Sequence, residues 1–244
     1  MSTIKSSAEN LTLNADGANN DVIIQSNGST KVTVDGATGA VGIGRTPSIS
    51  SSKLEVGGAD DVSLINVEAS GATGGIGIGG TGLQLYHGST ARMKIDSTGA
   101  VTMPAQPAFS VTAGGNDNLG LSTTTANFNS EIFDQNSDFN TSTYKFTAPV
   151  TGKYQFNMSF RLDQLDSAAG YYRLKFITSN RTYTSLIIDP NFTSDIDYYH
   201  MSGSYLADMD SGDTAEVAIQ QNGGTSQTDL KSGADTHFSG YLVA

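Results

Sequence analysis

Three aspartates in one short loop form the segment of the sequence best suited to hold a cation. Asp208, Asp210 and Asp213 lie in the sequence DMDSGD, and alternating carboxylates in a turn resemble the oxygen ligands that Ca²⁺ prefers. The loop lacks the Glu that closes an EF-hand, and a Ser-Gly-Asp turn between strands accounts for the same residues without a metal. We therefore expect no metal and no other cofactor, with calcium at these aspartates as the alternative.

Two pairs of adjacent tyrosines are the candidates for ligand contacts. The pairs are Tyr171-Tyr172 and Tyr198-Tyr199. Neighbouring side chains of a strand point to opposite faces, so one member of each pair must face outward. An exposed tyrosine suits glycan or protein recognition, and we take Tyr172 and Tyr198 as the candidates for that role. Packing in a core or between subunits is the other interpretation and is the favoured one.

The remaining motifs do not assemble a catalytic site. Gly77–Gly82 fits the spacing of a dinucleotide fingerprint, but the LQLYHGSTARMKI segment after it alternates like a strand where the fingerprint requires a helix. The histidines, His87, His200 and His237, are scattered and show no metal-binding or triad spacing. A glycan hydrolase would need a carboxylate pair, and the sequence singles out none. We predict a protein that is not an enzyme.

Composition and charge exclude several classes of partner. The 244-residue chain has 13 Lys and Arg against 24 Asp and Glu, a net charge of −11, which disfavours nucleic acid. It contains no Cys, so it has no disulfides and no Cys-based zinc site. No run of about eighteen apolar residues occurs, and the start MSTIKSSAEN has no signal-peptide h-region. We expect neither nucleic-acid binding nor membrane insertion nor conventional secretion.

The chain changes character near residue 104, and the part before it contains an internal repeat. GSTKVTVDGATGAV (28–41) and GSTARMKIDSTGAV (88–101) share both ends and the same length. Apolar residues alternate within each copy, which is typical of half-buried strands, and the D-G-A-T-G and D-S-T-G links predict tight turns. The first half therefore consists of short strands joined by turns.

One copy of these strands offers too little apolar area to fold alone. Each strand carries two or three small apolar side chains on one face, which does not offset the conformational entropy of ordering it. Three copies wound about a common axis would bury those faces, and the glycines would let the backbones approach closely. We therefore expect residues 31–103 to form a Gly-rich, intertwined trimeric β shaft, preceded by an attachment segment at 1–30.

The segment VGIGRTPSISSSKLEV (41–56) resembles a signature of phage fibres. The VGIG-T-x-P-x-x-KL-x-V pattern is common in phage tail fibres and related bacterial surface proteins. Arg45 stands where that pattern has a small residue, and the serine run is longer. The resemblance implies a fibre protein of a bacteriophage virion. The absence of cysteine and of a signal-peptide pattern fits assembly of that protein in the host cytoplasm.

The second half, residues 104–244, has longer strands rich in aromatics and no helix-period segments, which is typical of a β-sandwich or jelly roll. PAFSV (107–111), YKFTAPVTGKYQF (144–156) and FSGYLVA (238–244) resemble the C1q/TNF-like trimeric jelly-roll family. The chain departs from that family by having no cysteine and no collagen segment. The resemblance implies a homotrimeric head that binds ligands through its outer surface and apex.

Together these features predict an all-β, homotrimeric virion fibre or spike. Residues 1–30 would attach to another virion protein, and the head at 104–244 would bind a glycan or protein of the host surface. One alternative is a capsid decoration or head fibre without a receptor role. The other is a bacterial C1q-like surface adhesin, which would normally need an export signal.

Overall fold

The computed structural model describes residues 20–37, 39–44, 54–56, 62–69, 72–79 and 82–244. The described elements are all β-strands, which confirms the all-β class. No helix that could span a membrane occurs among these residues. Most of the predicted attachment segment (residues 1–19) and part of the fibre signature (residues 45–53, with Arg45) lie outside the described residues. The chain divides into two compact units, Met1–Pro104 and Ala105–Ala244.

The first unit contains two small sheets. The order of the first is β1-β2-β3-β4, with β4 parallel to β3 and the other pairs antiparallel. The second is an antiparallel meander in the order β5-β6-β7-β8-β9. The strands are β1 (Val22–Ser26), β2 (Ser29–Val34), β3 (Val41–Ile43), β4 (Leu54–Val56), β5 (Val62–Ala69), β6 (Ala72–Gly79), β7 (Gly82–His87), β8 (Thr90–Ile95) and β9 (Val101–Thr102).

The two copies of the sequence repeat form the same local structure. In each copy a strand is followed by an Asp-initiated turn and a second antiparallel strand: β2 leads to β3, and β8 leads to β9. The backbone N–H of Asp35 donates to the carbonyl of Ala40 at 2.8 Å, and that of Asp96 donates to Ala100 at 3.0 Å. The Asp side chain also accepts a backbone N–H two residues on in both turns. Such Asx turns are the reason that Asp begins both links.

The second unit is a two-sheet jelly-roll sandwich with antiparallel pairing. The β15 sheet has the order β12-β10-β21-β15-β18, with β20 also on β15, and the β16 sheet has the order β13-β14-β19-β16-β17, with β11 also on β19. The strands are β10 (Ala108–Ala113), β11 (Thr123–Thr125), β12 (Ser130–Asp134), β13 (Phe139–Asn140), β14 (Lys145–Thr147), β15 (Gly152–Leu165), β16 (Tyr171–Thr178), β17 (Thr182–Ile188), β18 (Ile196–Met209), β19 (Thr214–Asn222), β20 (Asp229–Leu230) and β21 (Gly233–Leu242).

Aromatic rings fill the space between these two sheets. Phe109 stacks on Phe139 and on Phe146 with centroids 5.0 Å apart in each pair. It also meets Phe238 edge to face at 5.1 Å, and Phe156 stacks on Phe238 at 5.8 Å. All five rings are buried, and offset or edge-on ring pairs add to the free energy of burial. The aromatic residues after residue 104 therefore build the core of the second unit.

Gly240 is required by this ring packing. It lies on β21 between the buried strands β10 and β15. A Cβ at this position would lie 2.6 Å from Cδ1 of Phe156 and 2.8 Å from Cε1 of Phe109. Both rings are held by further aromatic neighbours, so neither is free to move away. The glycine in the FSGYLV segment is therefore a packing residue.

We predict that Gly240→Ala lowers the free energy of unfolding by about 1–3 kcal/mol, because the added methyl group overpacks the two rings. Urea denaturation measures this change. The matched control is Ser239→Ala, since Ser239 points away from the core and its change should leave stability near that of the wild type. Equal stability of the two variants would contradict this account of the core.

Candidate binding surfaces

An apolar face runs across the meander of the first unit. Ile78, Leu83, Ile95 and Val101 lie in one row of paired residues across β6 to β9, and Ile76, Leu85 and Met93 form the next row. The largest exposed members are between 40% and 52% exposed: Ile76, Ile78, Leu83, Leu85 and Val101. A contiguous apolar surface of this kind marks an interaction site. We call these two rows the shaft face.

The glycines of the GIGIG segment lie on the other side of β6. Because side chains alternate along a strand, Ile76 and Ile78 share one face, and Gly75, Gly77 and Gly79 share the opposite face. Between Gly75 and Gly79 that opposite face of β6 therefore carries no side chains. The residues that follow are strands β7 and β8, so the helix required by a dinucleotide fingerprint does not follow Gly82.

The outer face of the β15 sheet carries a second apolar surface. Tyr241 and Leu206 flank Gln155 in one row across three strands, and Phe133 pairs with Ser110 at the β12 edge. Leu206 is 59% exposed, and the rings of Phe133 and Tyr241 are about half exposed. The next row holds small polar side chains, and the row after it holds small polar side chains and one histidine: Ser110, Ser239, Asn157 and Ser204, then Thr112, His237, Ser159 and Ser202. We call Phe133, Leu206 and Tyr241 the head patch.

A groove of about 580 Å³ lies on the same outer face, lined by Arg161, Tyr198, Tyr199, His200 and Asp235. The guanidinium of Arg161 lies 4.5 Å from the centroid of the Tyr198 ring. Its Nε donates to Asp163 at 2.8 Å, and its Nη1 donates to Asp235 at 2.7 Å. These hydrogen bonds raise the pKa of Arg161 above its usual value. The charge of Arg161 is thus already matched by two carboxylates.

The structure also joins Ser159 to His200, which the sequence analysis did not pair. Ser159 Oγ and His200 Nε2 are 2.6 Å apart, across β15 and β18. The two residues lie 41 positions apart in the chain, and only the strand register brings them together. No carboxylate hydrogen bond to the other His200 nitrogen occurs within the described residues, so the pair lacks the orienting acid of a triad.

The two candidate tyrosines have different environments. Tyr198 is 67% exposed beside the groove, as an outward ring should be. Tyr172 is 0% exposed, its hydroxyl is 2.7 Å from that of Thr228, and burial raises the pKa of its phenol. The prediction that the Tyr172 ring faces outward is therefore wrong, and Tyr171 is the member of that pair that faces outward. The phase of alternation along β16 decides this, and residue types alone do not fix that phase.

The three loop aspartates have separate partners within the protein. The Asp208 carboxylate pairs with Arg181 at 3.1 Å, and the Asp210 carboxylate accepts the Thr151 hydroxyl at 3.5 Å. Asp213 accepts the backbone N–H of Asp210 at 2.8 Å, the Ser179 hydroxyl at 2.7 Å and the Asn180 amide at 2.6 Å. These bonds lower the pKa of Asp213. No group of three His, Cys, Asp or Glu residues positioned to hold a metal ion occurs in the described ranges. The loop geometry is that of a hydrogen-bonded turn between β18 and β19.

Comparison with known proteins identifies the second unit. Residues 108–243 match the C1q domain family, as the resemblance of this half predicted. Among solved structures, the globular domain of zebrafish complement 1qA is 23% identical, with a TM-score of 0.42, covering 57% of this chain and 98% of that one. Murine APRIL is 10% identical, with a TM-score of 0.40, covering 57% and 99%. No curated protein matches the chain.

We predict that Asp213→Ala lowers the melting temperature at neutral pH, because three donors lose their acceptor. The pKa of Asp213 is lowered in the folded state, so its contribution is complete above the unfolded-state pKa and is lost as the pH falls below about 4. The difference in melting temperature between wild type and variant should therefore shrink in acid. Differential scanning calorimetry across pH measures it.

The same experiment tests the calcium alternative. Because the Asp213 oxygens already accept three hydrogen bonds, adding Ca²⁺ or EDTA should leave the melting temperature of the wild type unchanged. A fall with EDTA in the wild type that is absent from Asp213→Ala would contradict the turn assignment and favour a calcium site.

Proposed function

The chain belongs to the C1q domain family through residues 108–243, and from this premise we propose that it is a homotrimeric fibre protein of a bacteriophage virion. Its C-terminal head attaches the virion to the host cell surface. Residues 31–103 form the trimeric shaft, and residues 1–30 dock on another virion protein. C1q/TNF-like domains are binding modules, so the proposal needs no catalytic step.

The shaft face is the observation that carries this proposal. Its isoleucines and leucines remain about half exposed in a single chain. Full burial of one such side chain is worth about 1.5–3 kcal/mol, so several of them make association strongly favourable. The side of β6 formed by glycines lets a neighbouring backbone approach closely. The resemblance of the head to C1q/TNF-like trimers supports three as the number of copies.

The head patch supports self-association of the second unit. Leu206 and Tyr241 lie in one row, and the Ser and Asn side chains of the next row are short enough for a neighbouring copy to pack against them. Burial of the patch in the trimer leaves the outer face of the β16 sheet accessible. Three such faces on one fibre, and several fibres on one virion, raise avidity without a tight single site.

A pair of variants tests both assembly and attachment. Leu83→Glu combined with Leu206→Glu places a charge in the shaft face and in the head patch. We predict that this variant sediments as a monomer, because each charge would be buried without a partner. Labelled wild-type protein should bind intact cells of a strain that the virus infects. The monomeric variant should bind them about 10²-fold or more weakly, because avidity is lost.

The matched control is Thr102→Glu combined with Val150→Glu. Thr102 pairs with Lys94, which lies on the side of the meander opposite Ile95. Val150 is 46% exposed and lies in the loop between β14 and β15, outside both the head patch and the outer face of the β16 sheet. The control adds the same charge and should remain a trimer that binds cells. Unchanged sedimentation of the first variant would contradict the proposed interfaces. A trimer that binds no infectable strain would instead favour a capsid decoration.

A further inference from the structure

The outer face of the β16 sheet presents two neighbouring cations. Arg173 and Lys175 lie on this face, because the residues that alternate with them, Tyr172, Leu174 and Phe176, are fully buried in the core. Two residues apart on one strand, the backbone positions of Arg173 and Lys175 are separated by about 7 Å. Both side chains are half-buried and flank Gln220 and Ala218 of β19. The pair therefore sits in the middle of the sheet face.

Neither of these two cations has a carboxylate partner within residues 105–244. Residues 105–244 are described throughout, and the ion pairs within this range use other cations: Lys145, Arg161, Arg181 and Lys231. Lys175 donates to the Thr123 hydroxyl at 2.9 Å. The Nε of Arg173 is buried and has no hydrogen-bond partner. Two uncompensated positive charges side by side repel each other, which an anion bound between them would relieve.

Arg173 is held in a fixed orientation. Its guanidinium lies 4.2 Å from the centroid of the Tyr171 ring, which constrains its plane. A guanidinium stacked on a ring in this way keeps its donors in the planar fork that matches a carboxylate or phosphate. The contrast is Arg161 on the other sheet, which stacks on Tyr198 but already binds Asp163 and Asp235.

Hydroxyl side chains lie beside the two cations. Thr123 pairs with Gln220 of β19, Thr184 pairs with Lys175, and both threonines are exposed. Gln220 lies directly opposite Arg173, and the Gln220 Oε1 and the Arg173 Nε are both shielded from solvent. A ligand therefore contacts the outer guanidinium nitrogens, the Lys175 ammonium and the threonine hydroxyls. Acidic sugars combine an oxyanion with free hydroxyl groups, whereas the backbone phosphates of DNA have no free hydroxyl beside them.

We propose that the outer face of the β16 sheet binds an acidic sugar polymer. Its carboxylate or phosphate contacts Arg173 and Lys175, and neighbouring sugar hydroxyls hydrogen-bond to Thr123 and Thr184. This proposal specifies the class of ligand for the attachment role proposed above. That the ligand lies on the host surface rests on that proposed function. The site itself is defined by the contacts within the head.

The test is surface plasmon resonance of the full chain over immobilised polymers. Polygalacturonate supplies carboxylates, a phosphomannan supplies phosphates, and dextran is the neutral sugar. We expect binding to the acidic polymers that weakens as NaCl is raised, and none to dextran. The acidic polymer that binds with the higher affinity shows whether the preferred oxyanion is a carboxylate or a phosphate. Polyglutamate, which has carboxylates without hydroxyls, should bind more weakly than polygalacturonate.

Arg173→Gln combined with Lys175→Gln should lower affinity for the acidic polymer about tenfold, as expected for lost charged hydrogen bonds. The matched control, Lys153→Gln combined with Lys231→Gln, removes two charges elsewhere on the head and should bind like the wild type. The melting temperatures of both variants are measured first and should equal that of the wild type, which excludes misfolding as the cause of weaker binding. Equal binding by the two double variants, or equal binding to dextran, would overturn the proposal.

The outcomes separate this site from the attachment role. If the full chain binds infectable cells but no acidic polymer, the sugar site is wrong and the fibre proposal stands. If it binds the polymer through Arg173 and Lys175 but binds no infectable cell, the site stands and attachment to the host is wrong.

Discussion

The two-sided nature of a β-strand is the constraint on which the rest of this structure depends. Every strand has two faces, and a chain must cover the apolar face of each strand to remain folded in water. The head achieves this internally, because its two sheets trap Phe109, Phe156 and Phe238 between them, with Gly240 leaving the space that the rings need. The meander of the first unit keeps its isoleucines and leucines exposed in a single chain. The proposed trimer would cover them by self-association.

The same constraint assigns different roles to the two outer faces of the head. The β15 sheet presents Leu206 and Tyr241 beside short polar side chains, which suits packing against another copy. Its arginine, Arg161, is neutralised by Asp163 and Asp235. The β16 sheet instead presents Arg173 without a carboxylate partner among the described residues of the head. A chain with a net charge of −11 thus keeps two adjacent cations without carboxylate partners in the head on the face that we propose binds a ligand.

The sequence predicted which segments form strands and where the tight turns lie, but it did not predict the register in which the strands pair. The alternating valines and isoleucines and the Asp-initiated links predicted the strands and turns of the repeat, because these signals are local. Tyr172 was assigned outward because the phase of alternation depends on where β16 pairs with β19, and a shift of one residue reverses it. The contact of Ser159 with His200, and that of Arg161 with Asp235 across 74 residues, depend on the same long-range pairing. Local residue patterns carry no information on such contacts.

The solution mass of the unmodified full chain, measured by light scattering after size exclusion and across a dilution series, tests the central claim most directly. The account predicts three times the chain mass of 25.4 kDa, unchanged on dilution, because the shaft face and the head patch are both buried in the trimer. A monomer whose apolar faces remain in water at every concentration would contradict it.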